Sequence, residues 1–117
     1  MKIGFIGLGN VGGKLAGSLL RNGFDLTVRD LNQEIARPFL DNGAKWGESP
    51  KQIAETVELI ITCLPNPAAS ASVMEADDGV LAGSCSGKIW VEMSTTDEEE
   101  VKRLGAKVKA MGGEALD

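Results

Sequence analysis

A chain of 117 residues makes one domain, large enough to bury about two thirds of its unfolded surface in a single core. With 43% hydrophobic and 25% charged residues and a formal charge of −5, it lacks the basic surface that a nucleic-acid partner needs. No apolar run has the length of a membrane span, the N-terminal stretch is too short for a signal peptide, and two cysteines without a histidine exclude a zinc set, so we expect a cytoplasmic protein with reduced thiols, no membrane partner and no metal.

The chain opens on Met1-Lys2-Ile3-Gly4-Phe5-Ile6, a run suited to a short buried strand, and breaks at once into Gly7-Leu8-Gly9-Asn10-Val11-Gly12, a G-x-G-x-x-G pattern. The apolar spacing then changes to Val11, Leu15, Leu19, which predicts a helix from about Val11 to Arg21 ended by Asn22-Gly23. On such a strand-to-helix turn the first glycine lets the chain reverse, the second lets backbone approach a pyrophosphate, and the third lets the helix pack close to the strand. The free N–H groups at the helix start, with the positive end of its dipole behind them, suit an anion. A Gly-rich turn with no ligand carries the same letters, so the motif takes its meaning from the residues beyond it.

A second strand, Phe24 to Arg29, ends at Asp30, eighteen positions beyond Gly12. A carboxylate there accepts both ribose hydroxyls and repels a 2′-phosphate, which favours NAD over NADP. The competing readings are that Asp30 caps the next helix and that Arg29 reaches a 2′-phosphate. Asn32 caps a helix with Ile35, Ala36, Phe39 and Leu40 inward, ending at Asn42-Gly43; Pro38 either kinks it or delays its start. Ala44-Lys45-Trp46 is a short edge strand at best.

Ser49 and Gln52 form a capping box around Pro50 at the first position of a brief helix to about Glu55. Val57 to Leu64 reads as a buried parallel strand, apolar on both faces, stopped by Pro65-Asn66-Pro67. A short helix over Ala68 to Glu75 precedes a turn-rich stretch anchored by Val80 and Leu81. Ile89 to Met93 is the fifth strand, leading into Ser94-Thr95-Thr96. Thr96 with Glu99 predicts a second capping box, and Val101, Leu104, Val108 and Met111 an apolar stripe. Glu98 with Lys102 and Glu99 with Arg103 lie four apart on the solvated face. Gly112-Gly113 ends this helix before a sixth strand over Glu114 to Asp117. Cys63, Met74, Met93, Met111, Trp46 and Trp90 are read as packing residues.

Strand and helix alternating in this way give an α/β fold: a doubly wound parallel sheet of the Rossmann type, in three layers, with strand order 3-2-1-4-5-6. Ligands bind beyond the carboxyl ends of such a sheet at its switch point, where the glycine loop, Leu64-Pro65 and Ser94-Thr95 converge. The expected contacts are Gly7, Leu8, Gly9, Asn10, Val11 and Gly12 at the pyrophosphate, Asp30 at the adenosine ribose and Thr95 on the nicotinamide side. Ser94 and Thr95 also serve simply to start a helix. With no histidine and no tyrosine, the chain pairs no acid/base groups in a catalytic arrangement.

Gly4 to Gly12, the Ile60-Ile61-Thr62-Cys63-Leu64-Pro65 strand end and Glu92-Met93-Ser94-Thr95-Thr96 together resemble the β-hydroxyacid dehydrogenases, among them 3-hydroxyisobutyrate dehydrogenase, tartronate semialdehyde reductase and, more distantly, 6-phosphogluconate dehydrogenase. The resemblance runs from Met1 to Asp117. It implies cofactor binding by the glycine loop, Asp30, Leu64, Pro65 and Thr95, with Ser94 near the substrate. Where NADP-using members carry Asn-Arg after the second strand, this chain has Asp30-Leu31; Glu92 stands where the family has Asp or a similar residue. Members continue past Leu116-Asp117 into a substrate loop and a helical domain that supplies the catalytic lysine and builds the dimer. The expectation is therefore a truncated N-terminal NAD-binding domain, with no catalytic residue of its own, from an oxidoreductase that interconverts a small-molecule 3-hydroxy acid and its semialdehyde or keto form. A stand-alone module that binds or senses NAD(H) without chemistry is the alternative.

Overall fold

The computed structural model describes residues 1–93 and 97–116. Six parallel strands form one sheet: β1 (Lys2–Ile6), β2 (Asp25–Arg29), β3 (Lys45–Trp46), β4 (Leu59–Thr62), β5 (Ile89–Glu92) and β6 (Glu114–Leu116). Their order is β3-β2-β1-β4-β5-β6, as the sequence predicts, with the switch point between β1 and β4. Two helices, α1 (Asn10–Arg21) and α2 (Gln33–Asp41), cover one face. On the other lie α3 (Pro50–Thr56), α4 (Pro67–Glu75) and α5 (Glu98–Ala110), with a 3₁₀ turn over Val80–Ala82.

Each face has its own core. Phe5, Leu26 and Val28 pack under Ala16 of α1 and Ala36 of α2. Ile60, Trp90, Met74, Ile53, Leu104 and Val108 fill the opposite side. The Trp90 indole N–H donates to the Thr62 hydroxyl at 3.0 Å, so a large ring is buried with its polar atom satisfied.

Several local expectations shift by a residue or a face. Helix α1 buries Gly12 and Ala16, while Val11 is 62% exposed, because the helix approaches the strands through its smallest residues. Pro38 neither delays nor ends α2; it sits on the exposed side, where losing one N–H costs least. Ile35 and Met111, expected inside, are exposed. Strand β4 is shorter than Val57–Leu64 and fully buried on one face only: Ile60 and Thr62 are covered, whereas Leu59 and Ile61 lie half-buried at the margin of the two-helix layer. Pro67 does not merely stop β4. It takes the first position of α4, with the Asn66 side chain accepting from the Ala69 N–H at 2.8 Å.

At α5 the cap is Asp97, whose carboxylate accepts from the Glu99 and Glu100 N–H groups; Thr96, the expected cap, lies outside the described residues. Glu98 pairs with Lys102 at 3.2 Å as expected. Arg103 does not turn to Glu99: its guanidinium bridges Glu100 and, across to the end of α4, Glu75, where Lys107 joins it. This cluster holds the Glu75 carboxyl at about 2, chiefly through the Arg103 and then the Lys107 hydrogen bonds.

Candidate functional site

The carboxyl ends of β1, β2 and β4 are drawn together by backbone bonds. The Gly7 N–H donates to the Arg29 carbonyl and the Cys63 N–H to the Ile6 carbonyl, each at 2.9 Å. A crevice of roughly 660 Å³ opens above them. Gly7, Gly9, Asn10, Val11 and Gly12 line it together with Asp30, Leu31, Leu64 and Pro65. Eight of the sequence-predicted site residues thus meet in one place. Leu8 differs: its side chain is buried in the core, and it offers the site only its backbone.

The three glycines have separate causes. Gly7 has φ +100°, and a Cβ there would stand 2.1 Å from the Cys63 carbonyl oxygen. At Gly12 a Cβ would stand 2.1 Å from the Gly7 oxygen, so this glycine sets how closely α1 can lie on the loop. Gly9 answers to neither need: its φ is −67°, and a Cβ would have nothing within 4 Å. Nothing within the described protein requires glycine at this position.

Helix α1 is also the exception among the described α-helices in its cap. Asn32, Ser49, Asn66 and Asp97 each turn a side chain onto the first N–H groups of α2 to α5, but α1 begins at Gly9 with no side-chain cap. Its first internal bond runs from the Gly13 N–H to the Gly9 carbonyl. Of the preceding N–H groups, that of Gly12 meets the Cys63 sulfur, and those of Asn10 and Val11 have no acceptor among the described residues.

Asp30 is not the cap of α2, a place taken by Asn32. One carboxylate oxygen accepts the Leu8 N–H at 2.8 Å and the other the Asn32 N–H at 3.0 Å, tying the glycine loop to the turn that starts α2. Arg29 goes the other way: it donates to the Gly47 and Glu48 carbonyls at 2.8 and 2.9 Å and lies over the Trp46 ring, 5.3 Å from its centroid.

Sequence reasoning missed part of the lining. Cys63, read as a buried hydrophobe, and Met93, read as core, both face the crevice, and Met93 is 43% exposed. They sit there because β4 ends two residues, and β5 one residue, earlier than the predicted strands. Burial, and then the charge of Glu92, raise the Cys63 thiol above its ordinary value. Glu92 is itself buried, with its carboxylate accepting the Ser70 hydroxyl from α4 at 3.3 Å. Ala69, Ser72 and Val73 of α4, with Ala76 just after it, also line the crevice; their helical spacing was legible in the sequence. Ser94 and Thr95, the predicted residues after β5, lie outside the described residues. Among those described, no three histidine, cysteine, aspartate or glutamate side chains gather as metal ligands, and no helix is long and apolar enough to cross a membrane.

Comparison with known proteins places these features in a family. The model of the NAD binding domain of 6-phosphogluconate dehydrogenase matches residues 2–117. The chain is 34% identical over 116 residues to the cytokine-like nuclear factor N-PAC of Xenopus tropicalis, covering 99% of this chain and 22% of that protein. It is 33% identical over 115 residues to the mitochondrial 3-hydroxyisobutyrate dehydrogenase of Rattus norvegicus, covering 98% and 34%. Psf3, solved in complex with NADP+ and 2-OPP, matches with a TM-score of 0.89 at 26% identity, over 97% of this chain and 40% of that one. The chain spans about a third or less of the length of these curated relatives.

Proposed function

This chain belongs to the family of the NAD binding domain of 6-phosphogluconate dehydrogenase, and on that footing we propose that it is the N-terminal cofactor domain of an oxidoreductase interconverting a 3-hydroxy acid and its semialdehyde or keto form. The observation that carries the cofactor role is the pairing of an uncapped α1 with an unforced glycine: Gly9 leaves room, and the first-turn N–H groups offer donors, where a pyrophosphate would lie. Such a dinucleotide, when bound, supplies the site for hydride transfer.

Each residue then has a defined task. Gly7, Gly9, Asn10, Val11 and Gly12 hold the pyrophosphate, with Leu8 contributing indirectly, through its N–H on Asp30. Asp30 takes the adenosine ribose, Leu64, Pro65 and Thr95 line the nicotinamide side, and Ser94 faces the substrate. NAD is the preferred cofactor: a carboxylate at the ribose repels a 2′-phosphate. Psf3 is solved with NADP+, so this preference rests on Asp30 of this chain. Likeness to 3-hydroxyisobutyrate dehydrogenase supports the hydroxy-acid substrate. The catalytic base and the contacts of a homo-oligomer belong to the rest of the parent protein, and the two free thiols suit a reducing cytoplasm.

Calorimetric titration of the chain with NADH and NADPH tests the reading. Tighter NADH binding, weakened by Asp30→Ala, is expected. NADPH binding as tight as NADH would overturn the role of Asp30, and no binding of either at millimolar concentration would overturn the cofactor role. A native gene product no longer than these 117 residues would refute the domain reading.

A further inference from the structure

We propose that Trp46 governs cofactor preference from outside the crevice, by holding the Arg29 guanidinium at the end of β3 and away from the 2′ position of the adenosine ribose. The inference rests on the reading that this crevice takes a nicotinamide dinucleotide with its ribose at Asp30.

By sequence, Arg29 is the wrong residue for an NAD site. A guanidinium is the side chain best shaped to grip a phosphate through paired hydrogen bonds, and this one directly precedes the ribose-binding carboxylate. It also borders both the crevice and the recess beside it, which Leu31, Asn32, Trp46 and Glu48 help to line. Left to itself, it would offset the repulsion between Asp30 and a 2′-phosphate.

The fold removes it from that role. At the end of β2 Asp30 turns to the glycine loop and Arg29 to the residues after β3. No ion pair joins the two neighbours among the described residues; Asp30 is engaged by the Leu8 and Asn32 N–H groups instead. Arg29 is fixed at three points: the Gly47 carbonyl, the Glu48 carbonyl and the face of Trp46. Trp46 is the last residue of β3 and pairs in register with Val28, so the ring is placed by the sheet itself. Of the three restraints, only the ring belongs to a side chain, and it is the one a substitution can remove.

The test measures Kd for NADH and NADPH in the parent chain, Trp46→Leu, Trp46→Phe, Arg29→Ala and the Trp46→Leu/Arg29→Ala double variant. Leucine keeps apolar volume at position 46 without a π-face, and phenylalanine keeps the π-face. Trp46→Leu is expected to tighten NADPH relative to NADH by about tenfold, the worth of one charge-assisted hydrogen bond. Trp46→Phe retains the parent ratio, and Arg29→Ala in the Trp46→Leu background restores it. Arg29→Ala alone leaves NADPH as weak as in the parent. A loss of NADPH affinity in Arg29→Ala alone would overturn the proposal, since Arg29 would already reach the phosphate; this arm is readable even if Trp46→Leu does not fold. Equal shifts for both cofactors in Trp46→Leu would reduce Trp46 to a packing residue and overturn it too. A parent chain that binds neither nucleotide removes the reading underneath and is recognised separately.

Discussion

Replacing Gly9 by alanine adds one methyl group where the protein has no atom within 4 Å and where φ is −67°. Alanine is a poorer N-cap than glycine by roughly 0.5–1 kcal/mol, while the stiffer unfolded chain offsets about 0.4–1 kcal/mol. The two nearly cancel, so the melting temperature should move by less than about 4 °C. Binding should not be spared. The methyl stands beside the open N–H groups of α1, and a pyrophosphate displaced by it gives up at least one charge-assisted hydrogen bond, about 1.5–3 kcal/mol. That corresponds to a rise in the NADH Kd of about ten- to a hundredfold. Thermal melting and calorimetric titration of the same preparation separate the two effects. A variant that binds NADH within twofold of the parent would refute the assignment of Gly9 to the phosphates.

Gly12→Ala should behave in the opposite way, because its Cβ meets the Gly7 carbonyl oxygen at 2.1 Å and backbone cannot yield; about 1–3 kcal/mol of stability is lost, read by urea unfolding. Trp90→Phe strands the buried Thr62 hydroxyl that now accepts the indole N–H at 3.0 Å, at a cost of about 1–3 kcal/mol in the same assay. The Glu75 carboxyl, held at about 2 against an ordinary 4.5 by Arg103 and Lys107, adds stability that is complete above pH 4.5 and disappears as the pH falls toward 2. Arg103→Ala should flatten that part of the acid-unfolding profile, and so should high salt, since the cluster is exposed. Identical acid profiles for parent and variant would show that the cluster contributes nothing.

Much of the fold was legible in the chain because its signals were local. Gly7 to Gly12 after a β-like run, Asn-Gly at the ends of α1 and α2, and Ser49-Pro50 at the start of α3 each state a backbone geometry outright. Strand order followed from the alternation of strand and helix. What escaped was tertiary. A four-residue apolar step put Val11 on the inner face of α1, but glycine and alanine permit closer packing, and Gly12 and Ala16 took that face. The i,i+4 rule joined Glu99 to Arg103, but a carboxylate from another helix, Glu75, lay within reach. Likewise Asp30 at the ribose hydroxyls and Arg29 at a 2′-phosphate stood as competing readings in the sequence, and only the fold shows the two side chains turned in different directions.

The two oxygens of Asp30 answer two segments at once, the glycine loop at Leu8 and the α2 turn at Asn32. If Asp30 sets the preference for NAD as proposed, neutralising position 30 is not by itself a route to NADPH. An amide there retains one accepting oxygen where two are needed, and a small side chain retains none. The loop under the pyrophosphate would then slacken with the same substitution that opens the 2′ position, and affinity for both nucleotides would fall together. Retuning this site therefore calls for a replacement acceptor for the Leu8 N–H, introduced alongside the change at Asp30, rather than a single exchange of charge.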